Sequence, residues 1–216
     1  MPQNIFFDLD GTLTDPKDGI TKSIIFALQK LGEQAPSSDQ LEWTIGPPLI
    51  HSFRKLLGDE SKAQAAVIHY RQRYSKIGLF ENAIYPGIKD ALEALQNAGK
   101  VLYVATSKPV DFANDIISHF GMRPYFTRIY GSELDGTRCD KGDLIQYILQ
   151  KENISSENCI MIGDREHDAI GAAKNNIRAL GVSWGYGTSE ELTLAGTECI
   201  LKKPVELYPY FFRNSR

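Results

Sequence analysis

Two aspartates one residue apart, Asp8 and Asp10, close the apolar run Ile5-Phe6-Phe7, and Gly11-Thr12-Leu13-Thr14-Asp15 follows at once. Carboxylates this close repel each other unless a cation or a proton lies between them. An Asp-Gly turn after a strand is common as plain structure, but the whole string from Asp8 to Asp15 is far more specific. Three further segments carry polar groups in comparable places. Thr106-Ser107-Lys108-Pro109 follows the apolar run 101–105. Lys141 opens a helical pattern. Gly163-Asp164-Arg165-Glu166-His167-Asp168 follows Ile160-Met161-Ile162.

These residue types suit phosphoryl transfer. A phosphate ester is anionic, so a carboxylate such as Asp8 reaches phosphorus only where cations offset the repulsion. Mg²⁺ is a hard cation that takes oxygen ligands and often bridges carboxylates to a substrate phosphate. Asp8 and Asp164 would supply carboxylate oxygens, and Asp10 its backbone carbonyl. Asp168 lies four residues beyond Asp164, and a helix beginning there would put both on one face. Lys141 would hold the transferring group as a point charge. Thr106 and the neighbouring N–H groups around Ser107 would bind phosphate oxygens. Asp10 would act as general acid and then general base. Lys108 is a candidate for orienting the acids of the fourth segment. His167 reads as a spectator beside them.

The elements that must position these groups alternate. Short, nearly all-apolar runs at 5–7, 101–105, 126–130, 160–162 and 178–182 read as parallel strands covered on both faces, with 199–201 as an edge strand. Helical patterns lie between them, at Ile88-Ala91-Leu92-Leu95, Phe112-Ile116-Phe120 and Leu144-Ile145-Ile148-Leu149. Alternation of this kind implies an α/β doubly wound fold, whose ligands bind beyond the C-terminal ends of the strands. Asp8, Thr106 and Asp164 would then converge. Residues 16–83 break the alternation. Two helical faces, Ile20-Ile24-Ala27-Leu28-Leu31 and Ala63-Val67-Tyr70-Tyr74-Ile77, flank the turn Gly46-Pro47-Pro48-Leu49. We read 1–15 and 84–216 as the α/β core and 16–83 as a small all-helical insert after the first strand.

The 216 residues carry a net charge of -3, with 42% hydrophobic and 24% charged side chains, as in ordinary globular proteins. No basic stripe points to nucleic acid. No apolar run approaches the roughly 20 residues of a membrane helix. Cys139, Cys159 and Cys199 show neither metal-ligand nor disulfide spacing. The expectation is a cytoplasmic protein, monomer or homodimer, with a small-molecule partner.

Taken in order, the four segments resemble the motifs of the haloacid dehalogenase superfamily of aspartate-nucleophile phosphatases, and the resemblance covers essentially the whole chain. It is nearest the phosphoglycolate-phosphatase-like group, whose small cap the insert resembles. The resemblance implies Mg²⁺, a nucleophile at Asp8, acid–base work at Asp10, phosphate binding at Thr106, Ser107 and Lys141, and a metal site of Asp8, Asp10, Asp164 and Asp168. It also implies that the insert, with Gly46 to Leu49 as its substrate-facing loop, governs substrate choice. The expected activity is hydrolysis of a small phosphomonoester, 2-phosphoglycolate or a nucleoside monophosphate. A phosphosugar mutase of the same fold is one alternative. A non-catalytic regulatory or binding protein is another, and it would be expected to lack one of the acids.

Overall fold

The structure is a computed structural model and describes residues 2–212. The chain forms two compact units. One takes in the chain up to Thr14 and from Ile84 onward, and the other runs Asp15–Ala83.

In chain order, the first unit opens with β1 (Asn4–Phe7). The passages between the units form two short strands, β2 (Thr14–Asp15) and β3 (Ala83–Ile84), which pair with each other. The second unit is helical: α1 (Lys17–Lys30), α2 (Leu49–Leu57) and α3 (Glu60–Arg73). The α3 helix runs on through one wide π turn, Tyr74–Gly78. That turn changes the phase of the apolar face. Ala63, Ala66, Tyr70 and Tyr74 are buried, but Ile77, which the helical spacing places on the same face, is 53% exposed. Asp59 starts α3 by accepting from the backbone N–H of Lys62, and left-handed Gly58 ends α2 just before it. Pro48 leads into α2 from the Gly46–Pro47 bend.

The rest of the first unit alternates. Helix α4 (Ile88–Asn97) precedes β4 (Val101–Pro109), and α5 (Val110–His119) precedes β5 (Arg128–Ser132). Next come α6 (Lys141–Glu152), β6 (Cys159–Gly163), α7 (Glu166–Lys174) and β7 (Arg178–Val182). The short α8 (Ser189–Leu194), β8 (Ile200–Leu201) and α9 (Leu207–Phe212) follow. Six strands form one sheet in the order β5-β4-β1-β6-β7-β8, and every pairing is parallel. This is the doubly wound α/β arrangement expected from the sequence, with β1 in the middle and β8 at one edge.

Apolar side chains on both faces hold it. Ile5, Phe6 and Phe7 have no exposed surface, and Phe6 meets Tyr103 edge-on, ring centres 5.6 Å apart. Burying one such side chain contributes about 1.5–3 kcal/mol. The register then fixes what happens beyond the strand ends. Phe7 aligns with Val104 on one side and Ile162 on the other. Asp8, Thr106 and Asp164 therefore emerge within a residue of one another at the C-terminal end of the sheet.

Strand β5 begins later than the run 126–130 suggests, because Arg123–Tyr125 makes a 3₁₀ turn and leaves Phe126 as its cap. Strand β4 runs on past its apolar run to Pro109, with an irregularity between Ala105 and Pro109. All three cysteines are free, and Cys199 is only half-buried. No helix of the described residues is long and apolar enough to cross a membrane.

Candidate active site

Beyond the C-terminal ends of β1, β4 and β6, the first unit buries a group of charged side chains. Asp8, Asp10, Thr106, Lys108, Lys141, Asp164 and Asp168 are each 9% exposed or less. The Asp8 backbone N–H still belongs to the ladder and donates to Ile162 O at 2.9 Å. The chain then turns back on itself, with Gly11 at φ +85°. Only glycine fits there, since a Cβ would strike the Asp164 carboxylate. Thr12 hydroxyl donates to Asp164 Oδ1 at 3.2 Å.

Lys141 lies at the first position of α6. Asp140 caps that helix by accepting from the N–H groups of Gly142 and Asp143. The Lys141 ammonium donates to Asp8 Oδ1 and to Ala105 O, both at 2.8 Å. It also forms an ion pair with Asp168 Oδ1 at 2.8 Å. Burial works against this ammonium, but Asp168 and Asp8 outweigh it and hold it above the ordinary lysine range. Of the lysines near the site in sequence, Lys141 is therefore the one that reaches Asp8.

Asp164 and Asp168 do not share a helix face. Asp164 precedes α7 and Arg165 is the N-cap. Asp168 folds back within the first turn and accepts from the Arg165 N–H through Oδ2 at 3.2 Å. The capping residue breaks the four-residue helical spacing, and the two carboxylates meet because the chain curls around its own cap. The absence of a Cβ on Gly163 makes room for Asp168.

Asp8, Asp164 and Asp168 each offer an oxygen, all within 4.8 Å of one another, and all three residues are buried. Burial, reinforced by the charges of Asp8 and Asp168, pushes Asp164 well above the usual carboxylate range. Burial also pushes Asp168 up to about 6, against the pull of Lys141. With all three ionised, one ammonium would leave two negative charges uncompensated, which a low-dielectric site tolerates badly. Oxygen donors and this charge fit a hard divalent cation such as Mg²⁺.

The Asp10 carboxylate stands apart from that group. Its Oδ2 pairs with Lys108 Nζ at 2.7 Å, and its Oδ1 is buried with no hydrogen-bond partner. Burial raises its pKa, and Lys108 opposes the rise. Lys108 thus addresses the first segment rather than the acids of the fourth. The cause is the stretch beyond Ala105, which carries β4 on past Thr106. Thr106 hydroxyl accepts from the Lys108 N–H at 3.2 Å and retains its own hydrogen for a ligand. Ser107 is held by its carbonyl, which accepts from the Ser132 hydroxyl at 2.9 Å. His167 is half-buried, and burial lowers its pKa.

One contributor is absent from the sequence reading: the segment after β7, Trp184-Gly185-Tyr186-Gly187. The Tyr186 N–H donates to Asp164 Oδ2 at 2.8 Å, and the Trp184 indole donates to Thr12 O at 3.0 Å. A Cβ on Gly185 would collide with Gly11 O and Asp164, and one on Gly187 with Asp164 O. The signal was available, since two glycines two apart follow a strand at the ligand-binding end of the sheet.

A doubly wound sheet with four buried carboxylates and two buried ammoniums at its switch point is the frame of a phosphoryl-transfer enzyme. The chain matches the haloacid dehalogenase-like hydrolase family over residues 5–182 and belongs to it, as an enzyme of its phosphatase class. It is 52% identical over 190 residues to a 5'-nucleotidase of Pseudomonas aeruginosa, covering 88% of this chain and 86% of that one. It is 38% identical over 199 residues to the tyrosine-protein kinase PtkA of Mycobacterium tuberculosis, covering 92% of this chain and 68% of that one. The crystal structure of a predicted phosphatase from Clostridium acetobutylicum superposes with a TM-score of 0.95 at 43% identity, over 99% of each chain.

Proposed function

We propose that the protein is a Mg²⁺-dependent phosphomonoester hydrolase that works through an aspartyl phosphate on Asp8. The observation that carries this reading is the buried set around Asp8: two further carboxylates within 4.8 Å and the Lys141 ammonium at 2.8 Å. Asp8, Asp164 and Asp168 would hold the cation by carboxylate oxygens, and Asp10 by its backbone carbonyl. The cation supplies charge neutralisation for an anionic ester.

The remaining steps belong to the chain's own residues. Lys141, Thr106 and the Ser107 region bind the phosphoryl oxygens. An Asp8 oxygen attacks phosphorus as the bond to the leaving oxygen breaks. Asp10 gives a proton to that leaving oxygen, then takes one from the water that cleaves the aspartyl phosphate. The partner is a small phosphorylated metabolite. Of the two substrates considered, the nucleoside monophosphate has the stronger support, from the relative named 5'-nucleotidase.

The test is phosphate release with Mg²⁺ from nucleoside monophosphates, 2-phosphoglycolate and p-nitrophenyl phosphate. Release that EDTA stops is expected. No release from any of them would defeat the reading. The relative named a tyrosine-protein kinase favours a second reading, transfer of the phosphoryl group to an acceptor other than water. Appearance of the phosphoryl group on an added acceptor such as a tyrosine-containing peptide, with no free phosphate, would select it.

A further inference from the structure

Lys108 is a buried ammonium that the reaction as described does not use. It lies beyond the last regular pairing of β4, where the strand shifts register against β5 between Ala105 and Pro109. Its backbone is fixed from several sides. Its N–H reaches the Thr106 hydroxyl at 3.2 Å. Its carbonyl packs against Gly131, where any Cβ would collide with it. The neighbouring Ser107 carbonyl takes the Ser132 hydroxyl at 2.9 Å. A flexible side chain is thus launched from a rigid point, and its Nζ meets Asp10 Oδ2 at 2.7 Å. The two side chains are 6% and 10% exposed. Asp10 therefore keeps one oxygen occupied and the other, Oδ1, buried without a hydrogen bond. A carboxylate held by one oxygen only has a fixed orientation and a defined free oxygen.

We infer that Lys108 is a positioning residue for Asp10, anchoring Oδ2 so that Oδ1 is the oxygen that exchanges the proton. This rests on the phosphatase reading above. In the forward step the Oδ1–H bond breaks and a bond from that hydrogen to the leaving oxygen forms. The electron pair stays on the carboxylate, beside the Lys108 ammonium. In the second step Oδ1 takes the proton back from the attacking water. Lys108 gives up no proton in either step.

A leaving group that needs no proton isolates this role. p-Nitrophenolate departs unaided, whereas an alkoxide must be protonated as it leaves. The measurement is kcat/KM with Mg²⁺, which reports the first transfer, on p-nitrophenyl phosphate and on an alkyl phosphate such as a nucleoside 5'-monophosphate. Lys108→Met should lose about 10²-fold on the alkyl ester, the lower end of what general acid catalysis contributes, and much less on the aryl ester. Asp10→Asn should show the same pattern. Lys108→Arg, which keeps the charge, should restore most of the alkyl activity.

Lys108→Met leaves a buried charge on Asp10 unpaired, which itself destabilises. The double variant Asp10→Asn/Lys108→Met removes both charges. In it, the Lys108 change should add no further loss to that of Asp10→Asn. Equal losses on the two esters, or additive losses in the double variant, would overturn the positioning role while leaving the hydrolase reading intact. A wild type that releases phosphate from neither ester would overturn both.

Discussion

Asp168 shows how much one residue here depends on what lies beside it. Its carboxyl accepts from the Arg165 N–H and sits 2.8 Å from Lys141, yet burial pushes its pKa up to about 6. Without metal, the folded state therefore binds a proton more tightly than the unfolded chain, whose aspartates titrate near ~3.9. A group raised in this way costs stability as pH rises from about 4 to about 6. Asp168→Asn removes the titration. The difference in unfolding free energy between variant and wild type, measured by urea denaturation in EDTA, should move in the variant's favour across that window. A difference flat with pH would contradict the burial argument. A Mg²⁺ ion held by Asp8, Asp164 and Asp168 would reverse the balance in the wild type, because it requires the ionised carboxylates. The Mg²⁺-induced rise in Tm should therefore grow between pH 5 and pH 7.5.

At the scale of elements, the strands and their polar ends were legible in the sequence, because runs such as Ile160-Met161-Ile162 are apolar on both faces and stop abruptly at Gly163-Asp164. Register, which brings Asp8, Thr106 and Asp164 to the C-terminal end of the sheet, follows from the parallel pairing once the strands are known. Local turn geometry was less legible. The cap at Arg165 displaced the supposed helix face of Asp164 and Asp168, and the π turn at Tyr74–Gly78 carried Ile77 to the surface. Both depend on hydrogen bonds that periodicity does not encode. The 184–187 segment was missed because its contact with the Asp164 carboxylate is made by the backbone N–H of Tyr186. Gly187→Ala should push its Cβ into Asp164 O. Overpacking of this kind costs about 1–3 kcal/mol. Because it presses on Asp164, the variant should also bind Mg²⁺ more weakly by titration calorimetry. An unchanged affinity would show that the segment merely packs there.

For the whole molecule, metal binding and stability are one equilibrium. A ligand that binds only the folded state at ~100-fold over its Kd stabilises by about 2.7 kcal/mol. In a chain of this size that corresponds to a Tm rise of about 5–10 °C. Adding Mg²⁺ to EDTA-treated protein should produce a rise of that order, with Asp164→Asn abolishing it. No shift in the wild type at millimolar Mg²⁺ would weaken the case for a resident cation. Composition and charge constrained the class of protein but left the substrate open, since the groups that recognise a leaving group are dispersed and carry no spacing of their own. The 52% identity to a 5'-nucleotidase makes nucleoside monophosphates the first esters to try.

A phosphoryl group carried by Asp8 can be observed directly. Wild-type protein mixed with Mg²⁺ and an excess of its best substrate is quenched in acid within the first turnovers, and its peptides are analysed by tandem mass spectrometry. One phosphoryl group is expected on the peptide containing Asp8, localised to that side chain, and none in Asp8→Asn, which should fold normally and turn over nothing. A phosphoryl group on another residue, or substantial turnover by Asp8→Asn, would contradict a nucleophilic role for Asp8.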